Sequence, residues 1–207
     1  LMGFSVASLA DETRLLAIGV APSAERIGQD IATLAGFGTR HTLSDTVSDT
    51  RGIGAARRWI KAEFEKISAA CGGCLEVMYV SGVVSGTARI PDAAEVVNVV
   101  AIQRGTRDHN RFVVMSGDID SRISDIMNAT DDAPGANDNA SGMAGVIETA
   151  RVLSQYQFDG SIIYTGLSGE EQGLNGGAIL AAYAQEQGWD LQAVINNDMI
   201  GNIRGIN

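Results

Sequence analysis

The chain is short of basic residues, histidine, cysteine and long apolar runs, and each shortage removes a class of function. Fifteen Lys and Arg face twenty-five Asp and Glu, a formal net charge of -10. That balance disfavours nucleic acid and anionic membrane surfaces as partners. No apolar run approaches the roughly 18 residues of a bilayer span. The segment 1–20 is interrupted by Asp11, Glu12 and Arg14, which makes it a poor signal peptide. A first residue of Leu1 reads as a processed or truncated start. The two cysteines, Cys71 and Cys74, form one Cys-Gly-Gly-Cys. A zinc knuckle needs a second pair, and a thioredoxin-like motif should open a helix after a strand. Here the motif closes a helix and precedes a strand, so a local disulfide or two thiols in a turn remain. A disulfide would favour an oxidising compartment, secreted or periplasmic. The two histidines, His41 and His109, read as a loop-ordering residue and an exposed turn residue. Trp59 and Trp189 read as packing residues.

What the chain does have is 207 residues with an apolar fraction of 45%, enough for one sizeable domain and its core. No internal repeat, low-complexity tract or linker divides it, so 1–207 is read as a single domain. Ser23 caps a helix bearing Ile27, Ile31 and Leu34 that stops near Gly36–Gly38. From about Arg51, the residues Ile53, Ala56, Ile60, Phe64, Ile67 and Cys71 recur at helical steps. The segments 74–84 and 95–103 are rich in β-branched residues and read as strands. Residues 112–116, 161–167 and 193–197 follow as short apolar strands suited to a covered sheet. Between them, helices are expected from Asp138, with Met143, Val146, Ile147, Ala150 and Leu153 on the buried stripe, and over 175–187. A polar loop fills 121–136. The alternation implies an α/β fold, a three-layer α/β/α arrangement around a mostly parallel mixed sheet.

The acids are distributed along this frame in a telling way. Asp118 lies in Ser-Gly-Asp-Ile-Asp, Glu170 and Glu171 in Gly-Glu-Glu-Gln-Gly, and Asp198 in Asn-Asp-Met. Each follows an apolar run that reads as a buried strand. Asp138, in Pro-Gly-Ala-Asn-Asp-Asn-Ala-Ser-Gly, is the expected helix start. Open α/β sheets collect their chemistry beyond the carboxyl ends of the strands, so these acids converge on one rim. At about 5 Å and an effective dielectric near 20, each like-charged pair costs roughly 3 kcal/mol. Bound cations are the usual remedy. Arg122, beside the acidic loop, could bind a substrate carboxylate or offset charge, and both readings stand.

Taken as a set and in this order, the motifs resemble those of the cocatalytic zinc peptidases of metallopeptidase family 28. That family includes bacterial leucyl aminopeptidases and, more distantly, glutamate carboxypeptidases and glutaminyl cyclases. The resemblance runs from Ser23 to the end of the chain. It implies two divalent ions, zinc first, with Asp138 bridging them, Glu171 a terminal ligand of one and Asp198 of the other. Glu170 matches the general base. Asp118 stands where the family usually has His, and Asp120 matches the acid that supports that ligand. Asp is the harder ligand, so Mn²⁺ or another hard cation is also accommodated. The implied reaction is hydrolysis of an N-terminal peptide bond in a peptide substrate. The alternatives are a fold-retaining non-enzymatic relative or fragment, and carboxypeptidase or cyclase chemistry. The family also supplies a His well downstream of Asp198, whereas this chain ends at Asn207. The downstream part of the domain is therefore expected to be missing, and the 207-residue chain to be a poor peptidase with an exposed apolar sheet edge. Oligomeric state is left open.

Overall fold

The computed structural model describes residues 9–202. After a first helix α1 (Leu9–Val20), two amphipathic helices follow, α2 (Ala24–Gly36) and α3 (Gly52–Ala70). Ser23 caps α2 as its sequence demands, its Oγ accepting the Arg26 N–H at 3.3 Å. Ile53, Ala56, Ile60, Phe64 and Ile67 turn inward from α3. The α3 stripe ends at Cys71, which is joined to Cys74 in a disulfide.

Five strands then form one mixed sheet: β1 (Leu75–Val84), β2 (Ala94–Gln103), β3 (Asp108–Asp118), β4 (Gly160–Leu167) and β5 (Asp190–Asn197). Their order is β1-β2-β4-β3-β5. The pairs β1–β2 and β2–β4 are antiparallel, while β4–β3 and β3–β5 are parallel. Helix α4 (Gly142–Leu153) links β3 to β4, and α5 (Asn175–Glu186) links β4 to β5. On one face of the sheet Leu34, Ile60, Phe64, Met143 and Ile147 pack with Val99 and Tyr164. On the other, Leu180 of α5 packs with Val80, Val100, Phe112 and Ile163. The result is three layers, α/β/α. The path steps from β3 to β4 with its helix on one face, then to β5 on β3's far side with its helix on the other face. The chain direction thus reverses around β3, a topological switch point of the kind that gathers ligands in open sheets.

Three expectations shift in detail. β3 starts at Asp108, so His109 lies on an exposed strand position and not in a turn. β5, which pairs with β3 alone among the described residues, forms the edge of the sheet and is exposed along most of its length, with Val194 62% exposed; its apolar run is the exposed sheet edge that was expected and not a buried strand. The regular helix α4 starts at Gly142. Asp138 (φ -106, ψ 99) and Asn139 (φ -127, ψ 39), joined by a cis peptide, are not helical. Trp59 and Trp189 do pack, the first against Phe37 and the second against Phe112 and Tyr183. No helix among the described residues is long and apolar enough to cross a membrane.

An ionic network ties together the helices of one layer. Glu148 of α4 is buried and pairs with Arg26 of α2, and it also accepts the Ser23 N–H at 2.7 Å. Arg151 of α4 reaches Asp30 of α2 at 2.6 Å and Glu63 of α3 at 2.9 Å. Burial alone would raise the Glu148 pKa, but Arg26, the Ser23 amide and Arg151 outweigh it and hold the carboxyl below its ordinary value. A depressed pKa contributes stability above the unfolded value of about 4.3 that is lost as pH falls through the folded one. Glu148→Ala removes the acceptor for Arg26 and the Ser23 N–H, while Arg26 is nearly half exposed and Arg151 keeps Asp30 and Glu63, so it is expected to cost about 1–2 kcal/mol at pH 7. Denaturant melts at pH 7 and pH 3 check this, and the difference between variant and parent should shrink at the lower pH.

Candidate metal centre

The strand register alone places the acids. Asp118, the last residue of β3, pairs with Leu167 at the end of β4, and its neighbour Gly117 pairs with Asn197 at the end of β5. Glu170 and Glu171 follow β4 by three and four residues, and Asp198 follows β5 directly. Three parallel strands therefore deliver four carboxylates to one rim. Asp138 joins them from the turn that precedes α4.

Asp120 holds the rim together. It is 1% exposed, and it accepts the backbone N–H groups of Glu170 at 3.2 Å and Glu171 at 3.1 Å. The Thr42 hydroxyl donates to it at 3.0 Å. Thr42 also lies 2.5 Å from Gln172 Oε1, and the Gln172 amide nitrogen lies 3.0 Å from His41 Nε2. His41 is buried in this loop cluster, where its Nδ1 accepts the Leu43 N–H at 3.1 Å, in keeping with a loop-ordering role.

The two consecutive glutamates face different partners. Glu171 is engaged by Arg122, so Arg122 neutralises a rim carboxylate in this structure. The Glu170 carboxylate has no hydrogen-bond partner among the described residues. Burial first, then the charges of Glu171, Asp120, Asp198 and Asp138, lift Glu170 to about 7. Asp118 is also lifted to about 7, by burial first and then by Asp120, despite a 3.0 Å hydrogen bond from Asn139. Asp120 is raised chiefly by burial. Asp198 is raised by burial and by Asp138. Glu171 is raised by burial against the pull of Arg122.

Two residues outside the acidic motifs complete the frame. Asn139 donates to Asp118 and to the Asn197 carbonyl, at 3.0 and 2.8 Å, and its Oδ1 accepts the N–H groups of Gly142 at 3.0 Å and Met199 at 3.3 Å. One amide thus spans the ends of β3 and β5 and the start of α4. At Gly142 any Cβ would collide with the Asn197 carbonyl, which accounts for glycine in that position. Arg40 is fully buried and donates to the carbonyls of Ile119, Leu34, Pro134 and Gly135, at 2.7 to 3.0 Å. Burial lowers its pKa to about 10, against the attraction of Asp120 and Asp138. Neither role was readable in the sequence, where an Asn in a Gly/Asn/Asp run and an Arg in a polar loop are generic residues.

No group of three or more His, Cys, Asp and Glu side chains among the described residues stands as a chelating set. The donors fit divalent cations in kind: oxygen ligands that raise one another's pKa values at one rim, with Glu171 needing to leave Arg122 to join them.

The model of peptidase family M28 matches residues 98–206. A probable zinc metalloprotease of Pyricularia oryzae is 44% identical over 202 residues, covering 96% of this chain and 39% of that protein. The chain thus spans about two fifths of that relative's length. Among solved structures, the LapA aminopeptidase of Legionella pneumophila superposes with a TM-score of 0.69 at 22% identity, over 95% of this chain and 48% of that one. The glutaminyl cyclase of Fimbriiglobus ruber does so with a TM-score of 0.64 at 17% identity, over 85% of this chain and 61% of that one.

Asp120→Ala removes the acceptor for two backbone amides and is expected to loosen the 168–173 loop. Hydrogen exchange should speed up there by about tenfold or more, the loss of roughly 1.5 kcal/mol, while β1 and β2 stay protected.

Proposed function

Because this chain belongs to peptidase family M28, we propose that it carries the catalytic rim of a metal-dependent exopeptidase of the aminopeptidase type, which cleaves N-terminal peptide bonds. The observation that carries this reading is the delivery of Asp118, Glu170, Glu171 and Asp198 to adjacent strand ends. The proposed holders of two divalent ions are Asp138 between them and Asp118, Glu171 and Asp198 around them. Zinc is the first choice, since the relatives are named as zinc metalloproteases. When bound, such ions polarise a peptide carbonyl and acidify water.

The rest falls to the chain's own side chains. Asp120 fixes the peptide N–H groups of Glu170 and Glu171, so that these two neighbours hold different directions. Glu170, unpaired and lifted to about 7, is suited to take a proton from water on its carboxylate and to return it to the leaving amine. Glu171 and Asp198 serve as ligands, and Arg122 holds Glu171 when no ion does. A compartment outside the cytosol, secreted or periplasmic, is the one that the Cys71–Cys74 disulfide favours.

The division of labour between the paired glutamates is the test. Glu170→Gln should keep the metal content of the protein and lower turnover of leucine 4-nitroanilide by about 10²–10⁴-fold. Glu171→Gln should lower the metal content itself. Equal loss of metal in both variants would show that the roles are wrongly assigned.

A further inference from the structure

Across Thr42 from Asp120 lies a cavity of about 760 Å³, lined among others by Thr42, Ser44, Arg57, Arg58, Tyr79 and Glu95. It opens between α3, the loop that precedes it and the paired strands β1 and β2. Its unusual member is Arg57, which points from α3 into the cavity. Arg57 is 8% exposed, yet its guanidinium makes no hydrogen bond or ion pair among the described residues. Among the described residues no side-chain nitrogen or oxygen is both sealed from solvent and unpartnered, so the nitrogens of Arg57, which lines the cavity, are open to it. A nearly buried, unpaired guanidinium is a costly arrangement, and burial lowers its pKa.

The other charges around the cavity are already engaged. Arg58 donates to the carbonyls of Thr46 and Val47 at 2.9 and 3.2 Å and lies 3.4 Å from Asp49. Glu95 accepts the Ser81 hydroxyl at 2.8 Å at the exposed mouth. One cation is therefore free and one carboxylate stands nearby. That balance suits a monoanion and penalises a dianion such as phosphate. The planar fork of an arginine fits a carboxylate in bidentate fashion, and Leu43 and Val97 in the wall offer an apolar surface to the stem that carries it. Thr42 is shared: it lines the cavity while its hydroxyl binds Asp120 of the rim.

We propose that this cavity is a carboxylate subsite, in which Arg57 receives the terminal or side-chain carboxylate of a peptide. The peptide nature of the ligand rests on the peptidase reading above; the binding of a carboxylate does not. The test is an amide-resolved NMR titration of the zinc-treated protein with N-acetylalanine, its neutral analogue N-acetylalaninamide, and inorganic phosphate. Saturable shifts at Ser44, Tyr79 and Ala94 with N-acetylalanine, and none with the amide, are expected. Arg57→Met should weaken that binding at least about tenfold. Glu95→Gln, a change at an exposed position, should tighten it severalfold, and it decides the matter if Arg57→Met does not fold. Shifts confined to Asp118 and Asp198, equal binding of the amide, tighter binding of phosphate, or an affinity unmoved by Glu95→Gln would overturn the proposal. The subsite is read from binding alone. Binding at Arg57 without hydrolysis of leucine 4-nitroanilide would count against the peptidase reading alone, and hydrolysis without these shifts against the subsite alone.

Discussion

Like charges gathered at one rim push apart, and in this chain the buried carboxylate of Asp120 holds them in place. It accepts two successive amides from the Glu170–Glu171 turn and a hydroxyl from Thr42. These bonds cross 50 and 78 residues of sequence, so they fix the β4 loop and the segment before α3 against the end of β3. Asn139 does the corresponding work on the β5 side. With both anchors made, Glu170 is left unpaired, and Asp118 and Glu170 sit in surroundings where their charged and neutral forms are nearly balanced. Four rim carboxylates, Asp118, Asp138, Glu171 and Asp198, would formally balance two divalent ions, and burial raises the pKa values of Asp118, Glu171 and Asp198 among them.

The scaffold behind the rim explains why the arrangement is rigid. β3 lies between β4 and β5, and the chain reverses its course around it, so the loops on both sides open at the same end. Glycine at 142 lets the start of α4 approach the β5 carbonyl of Asn197. Behind α4, the Arg26–Glu148 and Arg151–Asp30–Glu63 contacts lock α2, α3 and α4 into one layer. The rim is thus supported by a covered sheet and by helices whose mutual positions are fixed by charge as well as by packing.

Much of this was legible in the residues, for reasons that can be named. Short apolar runs at 112–116 and 161–167 have few alternatives to a covered strand, so the acids after them could be placed at strand ends without coordinates. The helical stripe Ile53–Ala56–Ile60–Phe64–Ile67 is equally explicit. The failures also have physical causes. Asp138 resembles a helix N-cap, but Asn139 satisfies Gly142 and Met199 instead, and the helix begins four residues later. The β5 run Ala193–Val194–Ile195 has the composition of a buried strand, yet it lies at the edge of the described sheet and Val194 and Ile195 are exposed. His109 sits in polar sequence that reads as a turn, yet pairing extends β3 to Asp108. Arg40, Asn139 and Arg57 were invisible because their roles come from contacts remote in sequence. In a helix, Arg57–Arg58 reads as a solvated pair, and only the fold shows that one of the two is buried.

The acids at the ends of β3, β4 and β5, with Asp138, are proposed to hold two ions. Anomalous diffraction at the zinc absorption edge, on crystals of protein incubated with Zn²⁺, tests it most directly when paired with elemental analysis of the same sample. Two zinc peaks about 3.5–4 Å apart, both within bonding distance of Asp138 and flanked by Asp118, Glu171 and Asp198, are the expected result. Protein that takes up no zinc, or zinc bound away from Asp138, would contradict it.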